Sequence, residues 1–121
     1  AIFCEKIKLE LVNRSKKNIS KCINNLNSVK GRLELVREFS DQTKVFVDFA
    51  HTPDAIRAAI ISLKRHYGKN ITIVFGCGGE RDKDKRSKIG KIVNSLCNKI
   101  YVTDDNTRRE KPEKIRKAIL R

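Results

Sequence analysis

The sequence predicts an α/β fold: a partial Rossmann-like parallel sheet in the order βαβαβα, preceded by a short helical stretch at the N-terminus. Three observations carry that expectation. Runs rich in apolar and β-branched residues, the expected strands, start at positions 45, 71 and 99, which are 26 and 28 residues apart, the spacing of right-handed βαβ units. A helical stripe follows each run. Each run also ends in a polar cluster, DFAHTPD, GCGGERDKDKR or DDNTRRE, and open parallel sheets bind ligands outside the carboxyl ends of their strands.

Taken in order, Ile2, Phe3, Ile7 and Leu11 form a helical stripe that the polar run 13–18 interrupts, and Cys22, Ile23 and Leu26 suggest a second short helix. Gly31 suits the position just past a helix end, and a boundary is placed there. GRLELV then begins a strand, turned by Ser40 to Thr43 into a second, KVFVDF, at 44–49. Thr52 is a side-chain cap, Pro53 fits the first helical position and Asp54 favours the positive end of the dipole, so a helix starts here. It carries Ile56, Ala59, Ile60 and Leu63 inward and ends near Gly68.

Ile71 to Phe75 offers no polar alternation, which predicts an inner strand buried on both faces. Gly76, Gly78 and Gly79 allow a sharp turn and close approach of a ligand to the backbone. The following helix has Ile89, Ile92, Val93, Leu96 and Cys97 on one face. KIYVT, 99–103, is the next inner strand, and Pro112 opens a last helix with Ile115, Ala118 and Ile119 inward. Three parallel strands would leave an edge and part of a face uncovered, so the domain is expected to be unfinished.

Composition narrows the function. With 121 residues, 39% apolar and 35% charged, the chain suits one globular domain, and no apolar run approaches the roughly 20 residues that span a bilayer. The chain contains no Met, which is read as an internal piece of a longer polypeptide. Cys4, Cys22, Cys77 and Cys97 lack metal-site spacing and fit a reducing cytoplasm. The net charge of +14 raises a second reading, a basic nucleic-acid-binding module. Its cations are scattered without interleaved aromatics, so a lysine-rich composition is preferred over a dedicated patch.

Among the polar clusters, Asp48 is either a ribose- or metal-linked carboxylate or a strand-end acid paired with a nearby arginine, and His51 either shuttles protons or donates to a phosphate, or is a structural turn residue. Lys85 and Arg86 sit where a helix N-terminus disfavours cations, a cost that an anionic ligand would offset. Arg81 and Arg108 have the planar fork that suits carboxylates, and Asp105 and Asn106 are acceptors for an ammonium group. Together they would suit a zwitterionic amino acid.

VDFAHTPDAI at 47–56, VFGCGGERDKDKR at 74–86 and VTDDNTR at 102–108 closely resemble the Mur ligases of peptidoglycan synthesis, in particular their diaminopimelate-adding branch. GRLE at 31–34 resembles the family's boundary between its ATPase and C-terminal domains. The resemblance implies that residues 1–30 are the tail of the central ATP-binding domain. Residues 31–121 would then be the first part of the C-terminal, amino-acid-binding domain. It implies ATP as cofactor, with magnesium held mostly outside this segment, and Arg32, Asp48 and His51 near the nucleotide. Arg81, Asp105, Asn106, Thr107 and Arg108 would bind the amino acid, the last four matching the family's DNPR motif with Thr107 in place of Pro. The implied partners are UDP-MurNAc-dipeptide and meso-diaminopimelate, in a monomeric cytoplasmic enzyme that meets neither membrane nor nucleic acid. No GxxGK[ST] phosphate loop occurs in the chain, so these residues are expected to lack ligase activity alone.

Overall fold

The computed structural model describes residues 29–68 and 70–121, and the helices expected before Gly31 lie outside them. The chain divides into two compact units, Ala1–Phe46 and Val47–Arg121.

In the first unit, Gly31 takes φ 68 and its amide donates to Glu34 Oε2 at 2.7 Å. The strand β1 (Glu34–Glu38) pairs with β2 (Lys44–Val47) across the turn expected at 40–43. Phe39 N donates to Thr43 O at 2.9 Å, and Asp41 Oδ1 accepts from Thr43 N at 2.9 Å. So short a connection permits only antiparallel pairing. Lys44 and Glu38 add an ion pair across it. β2 stops at Val47 rather than 49 because Asp48 Oδ1 takes the amide of Ala50 at 2.7 Å, turning the chain out of the ladder.

The second unit is ordered as α1 (Pro53–Tyr67), β3 (Thr72–Phe75), α2 (Asp84–Leu96), β4 (Lys99–Val102) and α3 (Pro112–Ile119). Thr52 Oγ1 caps α1 by accepting from Ala55 N at 3.3 Å, Pro53 opens the helix and Gly68 ends it at φ 98. β3 and β4 pair in parallel, with Val74 opposite Tyr101 and Phe75 opposite Val102. Ile56, Ile60, Ile89, Val93, Ile115 and Ile119 form the buried core, with Ile73, Phe75, Ile100 and Val102 packed on it.

The expected three-stranded parallel sheet is two-stranded among the described residues. β2 takes its pairing from β1, where a short turn makes closure entropically cheap, and parallel pairing is confined to β3 and β4. Nor is β3 buried on both faces: Val74 is 65% exposed and its partner Tyr101 57%. Pleating sends Ile73 and Phe75 to the core and Thr72 and Val74 the other way, so the sheet has one covered face.

Candidate functional site

Two loops leave the carboxyl ends of β3 and β4. The first, 76–83, carries the glycines and Arg81; the second, 103–111, carries Asp105, Asn106 and Arg108. Their backbones are pressed together. Gly79 N donates to Asn106 O at 2.8 Å, and a Cβ on Gly79 would stand 1.9 Å from Thr107 O. One on Gly76 would meet Thr103 O at 2.7 Å. The glycines at 76 and 79 thus serve loop-against-loop packing rather than approach to a ligand. Gly78 has more room, its nearest neighbour being Asn106 O at 3.6 Å.

Between these loops and the segment before α1 lies a cleft of about 510 Å³. Asp48, His51, Arg81, Asp105, Asn106 and Arg108 line it, along with Phe49, Gly78, Cys77 and Lys85. Six of the eight residues singled out from the sequence therefore share one cavity. Thr107 is half-buried behind it, its carbonyl facing Gly79, and Arg32 belongs to the first unit.

The charges in the cleft are arranged unequally. Lys85 Nζ donates to His51 O at 3.1 Å, and His51 Nδ1 lies 3.1 Å from Phe49 O. Asp104 is engaged by Arg116 of α3, leaving Asp105 as the acid of that pair that lines the cavity. Arg81 and Arg108 are exposed and meet no carboxylate among the described residues. Two guanidiniums with no carboxylate partner among the described residues, beside a carboxylate and an amide, have donors and acceptors that match a molecule bearing both carboxylates and ammonium.

From the sequence, an anionic ligand would offset the cost of placing Arg86 near a helix N-terminus. The structure instead buries it, at 2% exposed, with Nη1 donating to Glu110 Oε2 at 3.0 Å and Nη2 to Glu110 Oε1 at 2.9 Å. The Arg86 hydrogen bonds, with that from the Glu80 amide, bring the Glu110 carboxyl down to about 2. Glu110 went unnoticed because a glutamate in a charged loop carries no local signal of a partner 24 positions away. Cys77 is buried in the cleft wall, and its desolvation pushes the thiol upward, against thiolate chemistry.

The family model "Mur ligase, glutamate ligase domain" matches residues 31–121. The chain belongs to the Mur ligase family. It is 45% identical over 108 residues to the UDP-N-acetylmuramoyl-L-alanyl-D-glutamate--2,6-diaminopimelate ligase of Rickettsia bellii, covering 85% of this chain and 22% of that protein. The enzyme of the same name from Zymomonas mobilis is 47% identical over 95 residues, covering 78% and 20%. A solved structure of a ligase so named superposes with a TM-score of 0.68 at 33% identity, covering 93% of this chain and 23% of the other. The chain spans about a fifth of the length of the curated relatives it matches. Among its described residues, no helix of this Mur ligase chain is long and apolar enough to cross a membrane.

Proposed function

We propose that this chain is the amino-acid-receiving part of a cytoplasmic ligase that adds meso-diaminopimelate to UDP-MurNAc-L-Ala-D-Glu in peptidoglycan precursor synthesis. Residues 1–30 would be the tail of its ATP-binding domain, and residues 31–121 the first part of a Rossmann-like C-terminal domain. The observation that carries this reading is the shared cleft: Arg81 and Arg108, each without a carboxylate partner among the described residues, stand with Asp105 and Asn106 at the ends of β3 and β4. The names of the relatives add the substrate.

In the family's reaction ATP supplies the phosphoryl group that converts the dipeptide carboxylate to an acyl phosphate. The incoming amine then displaces phosphate to form the amide. This chain's part is to bind and orient the amine's owner. Arg81 and Arg108 would each take a carboxylate through paired N–H donors, and Asp105 with the Asn106 side chain would accept from the ammonium of the end that does not react. Lysine lacks the second carboxylate and would leave one guanidinium unmatched. Asp48 and His51, on the wall formed by the segment before α1, would face the nucleotide side; for Arg32, in the first unit, a nucleotide contact rests on the family resemblance alone. Among the described residues, no group of three or more His, Cys, Asp or Glu is placed to hold magnesium.

Calorimetric titration of the chain with meso-diaminopimelate and with L-lysine tests the proposal. Saturable binding of diaminopimelate at least about tenfold tighter than lysine is expected from the unmatched charge. Equal affinities, or no diaminopimelate binding by a folded chain, would overturn it. The basic-module alternative predicts salt-sensitive binding of nucleic acid in the same instrument.

A further inference from the structure

We propose that Arg86 and Glu110 form a positioning clamp that holds the two cleft loops in register, so that Arg81 and Arg108 are aligned before any ligand arrives. The inference deepens the functional reading above and depends on it for the identity of the ligand.

Three elements meet at this pair. Arg86 comes from the first turn of α2 and reaches Gly78 O at 3.2 Å as well as both oxygens of Glu110. Glu110 Oε1 also accepts from Glu80 N at 2.6 Å. One carboxylate, supplied by the second loop, therefore fixes both the first loop's backbone and the helix that follows it.

The pair is a poor device for stability alone. Buried ion pairs lose about as much in desolvation as they gain in attraction, and apolar replacements are often as stable or more so. Arg86 Nε is in addition buried without a hydrogen-bond partner among the described residues, a desolvation cost that an apolar side chain would not carry. What the pair supplies is direction: a two-pronged bond that is made in one register only.

Backbone strain locates where that register is needed. Glu80 has φ 52 and Arg108 φ 51, one non-glycine residue in the left-handed region in each loop. Such residues persist only where their surroundings over-determine them. Glu110 holds both. Its side chain takes the Glu80 amide, and its own amide donates to Thr107 O at 3.0 Å, closing the turn that contains Arg108. Arg81 follows Glu80 directly, so both cleft guanidiniums are placed by residues that Glu110 pins.

The test uses the full chain, its Glu110→Gln variant, which removes the charge at constant size, and Arg86→Lys, which keeps a charge and loses the fork. Circular dichroism selects conditions where each variant is folded, and calorimetry then gives the ratio of diaminopimelate to lysine affinity. Positioning predicts that this ratio falls about tenfold, toward one, in Glu110→Gln, and less in Arg86→Lys, with unchanged circular dichroism. A role in stability alone leaves the ratio at its original value in the folded fraction, and that result overturns the clamp. Hydrogen exchange on the unaltered chain decides the matter without any variant. The Glu80 and Gly79 amides are expected to exchange as slowly without ligand as amides of the β3–β4 ladder; rapid exchange would show the loops unset and overturn the proposal. Failure of the unaltered chain to bind diaminopimelate would sink the functional reading, and the exchange rates would still judge the clamp.

Discussion

The amide of Gly79 donates to the carbonyl of Asn106 at 2.8 Å, which brings the backbones of the two cleft loops into direct contact. There is no room between them for a side chain. Gly79→Ala would thrust a Cβ to 1.9 Å from Thr107 O, backbone that cannot swing aside. A loss of about 1–3 kcal/mol is expected, read as a thermal midpoint lower by roughly 5–20 °C. Gly78→Ala, with 3.6 Å of clearance, should melt within a few degrees of the parent and lose ligand affinity instead.

Acid should release the Arg86–Glu110 pair late. The Glu110 carboxyl is held at about 2, below its ordinary 4.5, chiefly by hydrogen bonds from Arg86 and from the Glu80 amide. A depressed carboxylate contributes stability that is complete above the ordinary value and is lost as pH falls toward the folded one. Urea midpoints of the parent and of Glu110→Gln, measured from pH 6 to pH 2, should be widest apart at the upper end. The gap should narrow below about pH 4.5 and close near pH 2. Asp41 is also lowered, by hydrogen bonds from Thr43, so some acid dependence should survive in the variant.

Arg108 separates binding from strain. Its φ of 51 favours glycine, so Arg108→Gly should be more stable than Arg108→Ala by about 1 kcal/mol, several degrees in a melt. On the proposed function, both variants lose preference for diaminopimelate over lysine in calorimetric titration. Retention of that preference in either would remove Arg108 from the binding set.

Gly90 presents a conflict between propensity and packing. Alanine in mid-helix is favoured over glycine by about 1 kcal/mol. At this position its Cβ would lie 1.9 Å from Ile119 O, where α2 crosses α3. Overpacking of this kind costs about 1–3 kcal/mol, so Gly90→Ala is expected to destabilise despite its better propensity. A higher denaturation midpoint would contradict that packing.

Much of the fold was legible because its signals are local. Thr52, Pro53 and Gly68 bound α1 as expected, and the apolar stripes of α2 and α3 point inward as their spacing requires. The cleft was legible in part: Arg81, Asp105, Asn106 and Arg108 converge from the ends of the parallel strands β3 and β4, while Asp48 and His51 join them from the segment before α1 and not from that sheet. Less legible were pairing and burial. The run at 71–75 is apolar or β-branched throughout, yet Val74 faces outward with Thr72, because alternation on a pleated strand is enforced by what covers each face.

Local chemistry settled the elements and their order: where helices start, where strands turn, and which ends carry arginines and acids. Each of those choices is made within a few residues and needs no distant partner. Folding settled which charges are available. Arg81 and Arg86 lie close together in one cationic stretch with the same side chain, yet one opens to the cleft and the other is buried against Glu110. The difference comes from a carboxylate brought across from another loop, and a long-range ion pair of that kind leaves no trace in the spacing of the chain.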